Sequence, residues 1–139
     1  MISFNYELSF QLENEETYSQ WIQNVILSEN KTIGEINYIF CDDEYLLDIN
    51  QKHLNHDFYT DVISFDYSEA NIISGDVFIS VDRVKENADE YNVPFNEELK
   101  RVIIHGILHY CGYKDKSSQE AVNMRNKEDE KLLLFHVKQ

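Results

Sequence analysis

The chain has 139 residues, 42% of them apolar and 13% aromatic, which suits one packed core over residues 1–139 and argues for a packed globule and against disorder despite the high charge. Twelve basic residues stand against 26 acidic ones, a net charge of −14, so the surface as a whole repels nucleic acid and any polyanionic ligand needs a locally positive spot. No stretch approaches the roughly 20 apolar residues of a membrane span. The start lacks a basic and apolar export pattern, and Cys41 and Cys111 alone make no disulfide framework, so a cytoplasmic protein without a membrane partner is expected.

In chain order, Ile2, Phe4, Tyr6, Leu8, Phe10 and Leu12 alternate with mostly polar residues and predict a half-buried strand. A helix is expected from Glu15 to Leu27, with Tyr18, Trp21, Ile22, Val25 and Ile26 as its apolar stripe. Strand character returns over Glu35 to Cys41. Asp42 can cap a following helix whose Tyr45, Leu46, Ile49 and either His53 or Leu54 face inward. Two further β-rich runs, Thr60 to Asp66 and Asp76 to Val81, are separated by residues with loop character. A charged helix over Asp82 to Tyr91 should stop before Val93-Pro94. Asn96 is placed to cap the next helix, with Glu97 and Glu98 in its first turn. Ser117 or Ser118 starts a last helix, with Ala121, Met124, Glu128, Leu132 and Phe135 along one side. The fold class expected is α+β: one domain with a small mixed sheet of about four strands and about five helices.

The most informative stretch is His105-Gly106-Ile107-Leu108-His109-Tyr110-Cys111-Gly112-Tyr113-Lys114-Asp115. Residues four apart share a helix face, so His105 and His109 can address one ion. Gly112 can take the left-handed conformation that ends a helix, and the reversed chain then presents Asp115 as a third ligand. This is the skeleton of the metzincin peptidases, but the Glu that follows the first His there is Gly106 here, so the peptidase base is missing. The bland alternative is two helix histidines with accidental spacing. Cys111 fits a small apolar helix position better than a ligand. Lys114 and Lys116 beside the motif are candidates for stabilising charge on a phosphate, and Lys100, Arg101, Arg125 and Lys127 lie on the neighbouring segments.

Three motifs in order, Thr60-Asp61-Val62-Ile63-Ser64-Phe65, Ser74-Gly75-Asp76-Val77-Phe78-Ile79-Ser80 and the His105 motif, make residues 36 to 134 resemble the YbeY family of ribosomal-RNA maturation factors. The resemblance implies a single α+β domain with the metal motif on a central helix, and a single-strand-specific, metal-dependent endoribonuclease activity. It also implies small-subunit ribosomal RNA, the small ribosomal subunit or its proteins as partners, and a role in ribosome quality control in the bacterial cytoplasm. Two positions depart from the family pattern. Asp115 stands where members usually carry His, a set that suits Zn2+ but also the facial triad of iron. Leu54 stands where the family carries an Arg thought to meet phosphate; Lys52, His53 and His56 lie beside that gap. Asp61 and Ser64 can line a substrate groove, or Thr60 and Asp61 can simply bond the turn at the strand start.

The expected reaction is metal-dependent cleavage of RNA with His105, Lys114 and Lys116 as catalytic residues and His105, His109 and Asp115 as metal ligands, the nucleophile being either water or a ribose 2′-hydroxyl. The alternative is a ribosome-assembly binding protein whose metal is structural or vestigial. A metallohydrolase for a non-nucleic substrate is a third possibility, supported by the acidic charge but by no particular residue. Structural zinc normally closes with four protein ligands, and three good candidates favour an open position.

Overall fold

The computed structural model describes residues 1–135, so residues 136–139 of the expected domain lie outside the described part. Four strands and five helices are ordered β1 (Ile2–Tyr6), α1 (Glu15–Ser28), β2 (Thr32–Cys41), α2 (Asp43–Leu54), β3 (Val62–Asp66), β4 (Ile72–Ser80), α3 (Val81–Tyr91), α4 (Phe95–Tyr110) and α5 (Ser118–Leu134). The sheet has the order β1-β2-β4-β3. β1, β2 and β4 run parallel and β3 pairs antiparallel with β4, which makes the sheet mixed and the class α+β.

α4 is the central helix. Ten of its 16 residues are buried, among them Leu99, Val102, Ile103, Ile107 and Leu108. It lies on the sheet so closely that a Cβ on Gly106 would sit 3.3 Å from a methyl of Val77 in β4. Buried hydroxyls fix it further: Tyr38 of β2 donates to the Ile103 carbonyl at 3.0 Å, and Tyr110 donates to the carbonyls of Asp76 at 2.9 Å and Phe65 at 3.1 Å. Because an unpaired buried hydroxyl is costly, each of these bonds sets both the position and the rotation of α4. α5 is held against α1 by Trp21, whose indole N–H donates to the Lys131 carbonyl at 2.8 Å.

Several local expectations need correction. The first strand stops at Tyr6 although the alternation continues to Leu12. Its partner β2 ends at Cys41, and after the bond from the Glu7 N–H to the Phe40 carbonyl there is no ladder left to extend. Leu8, Phe10 and Leu12 then fold over the core as irregular chain. On α2, Asp42 does cap by accepting from the Tyr45 N–H at 2.9 Å, but Tyr45, His53 and Leu54 are exposed. Leu46 and Asn50 are the buried residues there, the Asn50 amide donating to the Phe58 carbonyl. The span between the third and fourth strands is not all loop, because β4 already begins at Ile72 and pairs with β2. Ser80, not Asp82, opens α3, its hydroxyl accepting from the Arg83 N–H, and α3 ends at a left-handed Asn92 just ahead of Val93-Pro94. Pro94 occupies the cap position of α4, which leaves Asn96 within the first turn. α5 starts with a full capping box between Ser117 and Glu120. Its inner side carries Met124, Glu128 and Lys131, while Ala121 is exposed.

Candidate metal centre

His105 and His109 stand one turn apart on α4 with ring centroids 4.5 Å apart. At the helix end the Gly112 N–H bonds the His109 carbonyl and the Tyr113 N–H bonds the Leu108 carbonyl. Gly112 has φ +108°, so the reversal depends on its conformational freedom and not on its lack of bulk, since a Cβ there would meet nothing within 4 Å. The reversal returns Asp115 to the histidines. His105 Nε2, His109 Nε2 and Asp115 Oδ2 form a triangle with edges of 3.0, 3.2 and 3.4 Å.

The hydrogen bonds behind each ring fix what these atoms offer. His109 Nδ1 is 3.0 Å from the Tyr113 carbonyl, which can only accept, so Nδ1 holds the proton. His105 Nδ1 is 2.7 Å from Glu128 Oε2. Glu128 is itself held by Arg101, Nη1 to Oε1 at 2.8 Å. Burial alone would raise the Glu128 pKa, but the bonds from His105 and Arg101 outweigh it and hold the carboxyl below its usual range. An ionised Glu128 accepts a hydrogen bond from the His105 Nδ1–H. Burial also opposes charging of the His105 ring, yet Glu128, with Asp115 and Asp61, raises its pKa overall.

In the neutral rings, then, both Nε2 atoms are bare lone pairs facing each other and a carboxylate. Three acceptors at such distances have no proton to share, and a cation between them removes the conflict. A tetrahedral ion with ligands at about 2.0–2.1 Å has ligand–ligand edges of about 3.3 Å, and the observed edges bracket that value. The donor set therefore fits a divalent metal. Among the described residues this is the one cluster of three or more potential ligands close enough to hold one ion. Cys111 is no part of it, its thiol pushed up to about 11 by burial with the charge of Glu29 adding to the shift.

An open cleft of about 320 Å³ runs from His105 and Asp115 past Asp61, Glu98, Arg101 and Arg125. Asp61 accepts from the Asn87 amide at 3.4 Å, and burial pushes its carboxyl upward against the opposing charge of His105. Ser64 does not line the cleft. Lys114 and Lys116 are exposed on the loop that carries Asp115 and do not line the cleft. Of the cations on the neighbouring segments, Arg101 and Arg125 line it, whereas Lys100 lies over the Phe135 ring and Lys127 pairs with Glu29 and Glu130. Leu54, His53 and His56 are exposed away from the cleft, His53 edge-on to Phe65 and His56 stacked on Phe58. Glu128, which the sequence placed on the inner stripe of the last helix with no part in the site, is the residue that backs His105. Its signal was there, a carboxylate placed on the inner stripe of an otherwise apolar helix side.

A family profile described as Endoribonuclease YbeY matches residues 4–136. A protein of Flavobacterium psychrophilum called Endoribonuclease YbeY is 68% identical over 139 residues, covering 100% of this chain and 99% of its own. One of the same name from Flavobacterium johnsoniae is 63% identical, with 100% of both chains covered. One from Bacteroides fragilis is 50% identical over 116 residues, 84% of each chain. In fold, the solution structure of TM1509 from Thermotoga maritima is similar with a TM-score of 0.69 and 24% identity, covering 97% of this chain and 89% of that one.

Proposed function

Because the chain belongs to the YbeY endoribonuclease family, and is thus a hydrolase acting on RNA, we propose that it cuts single-stranded RNA at the His105, His109 and Asp115 centre. The convergence of His105 Nε2, His109 Nε2 and Asp115 Oδ2 within 3.4 Å of one another beside an open cleft carries this reading. Zn2+ is the metal proposed: two of the three edges lie nearer the tetrahedral value of about 3.3 Å than the roughly 3.0 Å of an octahedral facial set. When bound, such an ion supplies Lewis acidity toward a phosphodiester.

The rest of the chemistry falls to the chain. Glu128 and the Tyr113 carbonyl hold the two imidazoles in the tautomer that leaves Nε2 free. Gly106 has no side chain to act as the base, and a Cβ there would face Val77 of the sheet at 3.3 Å. Asp61 lines the cleft beside His105 and is the carboxylate proposed to take the proton of the attacking water or ribose hydroxyl, its raised pKa favouring that transfer. Lys114 and Lys116 flank Asp115 in the chain and are proposed to meet the phosphate charge.

The substrate proposed is small-subunit ribosomal RNA, met on the ribosomal particle or its proteins in the bacterial cytoplasm; the support is family membership over nearly the whole chain. Among the described residues no helix is long and apolar enough to cross a membrane. A binding protein with a structural metal is disfavoured by a ligand set of three with an open side.

The test is cleavage of single- and double-stranded RNA by metal-loaded protein at fixed salt. Wild type should cut the single strand, and His109→Ala and Asp115→Ala should not. Wild type no faster than either variant defeats the reading. Product ends then choose the nucleophile: a 2′,3′-cyclic phosphate marks the ribose hydroxyl, a 5′-phosphate marks water.

A further inference from the structure

The cleft does not end at the metal centre. A second compartment of about 260 Å³ adjoins it and shares Tyr91, Glu98, Arg101 and Arg125 with the first. Val93, Pro94 and Leu132 give this compartment an apolar wall. Tyr91 closes α3 at its rim and is 56% exposed. Among the described residues the Tyr91 ring has no stacking partner and its hydroxyl no hydrogen bond.

The two arginines differ. Arg101 is engaged twice, by Glu128 at 2.8 Å and Asp129 at 2.7 Å. Arg125 approaches Glu128 only at 3.7 Å and keeps 56% of its side chain exposed, so its donors face the cleft largely unspent. An idle aromatic face, an apolar wall and a nearly free guanidinium, continuous with a metal centre, are what one nucleotide of a single strand needs: a surface for its base and a charge for its phosphate. On a chain of net charge −14, such a site is not explained as part of a general basic surface.

Resting on the endoribonuclease reading above, we propose that Tyr91 and Arg125 form a subsite for the nucleotide next to the cleaved phosphate, its base stacked on Tyr91 and its phosphate met by Arg125. Binding there positions the strand and leaves the chemical step to the metal centre.

The experiment is steady-state cleavage by the full metal-loaded chain of single-stranded oligoribonucleotides with one cut site, in which one base at a time is replaced by an abasic ribose so that every phosphodiester is kept. For wild type, removing the base of the nucleotide beside the cut on one side should raise KM roughly ten-fold or more. Tyr91→Ala should raise KM as much on the unmodified strand, lose the response to base removal, and keep kcat within about two-fold. Tyr91→Phe, which retains the ring, should match wild type. Arg125→Ala should raise KM and lower the salt dependence by roughly one phosphate contact, with Arg125→Lys recovering part of both. Cleavage by wild type combined with an unchanged KM in Tyr91→Ala, or a Tyr91→Phe as impaired as the alanine variant, overturns the subsite alone. No cleavage by wild type overturns both the subsite and the function on which it rests.

Discussion

Replacing Glu128 by alanine should weaken metal binding although Glu128 touches no ion. Its Oε2 lies 2.7 Å from His105 Nδ1 and its Oε1 lies 2.8 Å from Arg101. Without it the His105 ring loses the acceptor that fixes its tautomer and rotation, and its neutral form is free to place the proton on Nε2, where it blocks ligation. Partners of this kind are worth about 10- to 100-fold in metal affinity, or roughly 1.4 to 2.7 kcal/mol. Glu128 is buried and anchored by Arg101, so no water-exposed substitute is at hand and the upper half of that range is expected. Glu128→Gln keeps an acceptor but gives up the charge, and should fall between wild type and alanine. The assay is competition for zinc against a chromogenic chelator at neutral pH, with His109→Ala as the reference for a lost ligand. A Glu128→Ala affinity within about two-fold of wild type, with His109→Ala abolishing binding, would refute the reasoning that the tautomer is set from behind the ring.

Three other outcomes follow from the packing. Lys131 is almost fully buried with its ammonium 2.7 Å from Glu29, and Glu29→Ala should cost about 3 kcal/mol in chemical denaturation, tempered by the remaining Glu130 contact at 3.0 Å. A Cβ on Gly75 would lie 2.5 Å from both the Phe65 carbonyl and the Tyr110 ring, whereas one on Gly106 would lie 3.3 Å from a Val77 methyl. Gly75→Ala should therefore destabilise by roughly 1–3 kcal/mol or more, while Gly106→Ala should stay within about 1 kcal/mol because helix propensity offsets the tight contact. In metal-free protein the lowered pKa of Glu128 means that the native state binds fewer protons there than the unfolded chain. The stabilisation is complete above about pH 4.3 and is lost as the pH falls from there through the native value, so thermal melts of Glu128→Gln should show a shallower acid limb than wild type.

The clustering of His105, His109 and Asp115 was legible because its information is local. Spacing of four puts His105 and His109 on one face, and Gly112 permits the turn that returns Asp115; the positive φ of Gly112 bears out that logic. α1 and the cap of α2 were equally readable from apolar period and Asp42. What failed was decided by partners far off in sequence. β1 stops because β2 has run out at Cys41, and the early half of β4 forms because β2 offers it a ladder, neither of which Leu8 or Ile72 can announce. Glu128 lies 23 residues from His105 and 27 from Arg101. Its role depends on how α5 crosses α4, and in the sequence it was only a carboxylate out of place.

The central claim is that one divalent ion, held by His105, His109 and Asp115, is required for RNA cleavage. The direct measurement strips the protein with chelator, removes the chelator, and follows single-stranded RNA cleavage as zinc is returned in fractions of an equivalent. Activity should rise in proportion and break near one ion per chain, with His109→Ala flat throughout. Full cleavage by the stripped protein, or a wild type that binds no metal when it is supplied, would contradict the account.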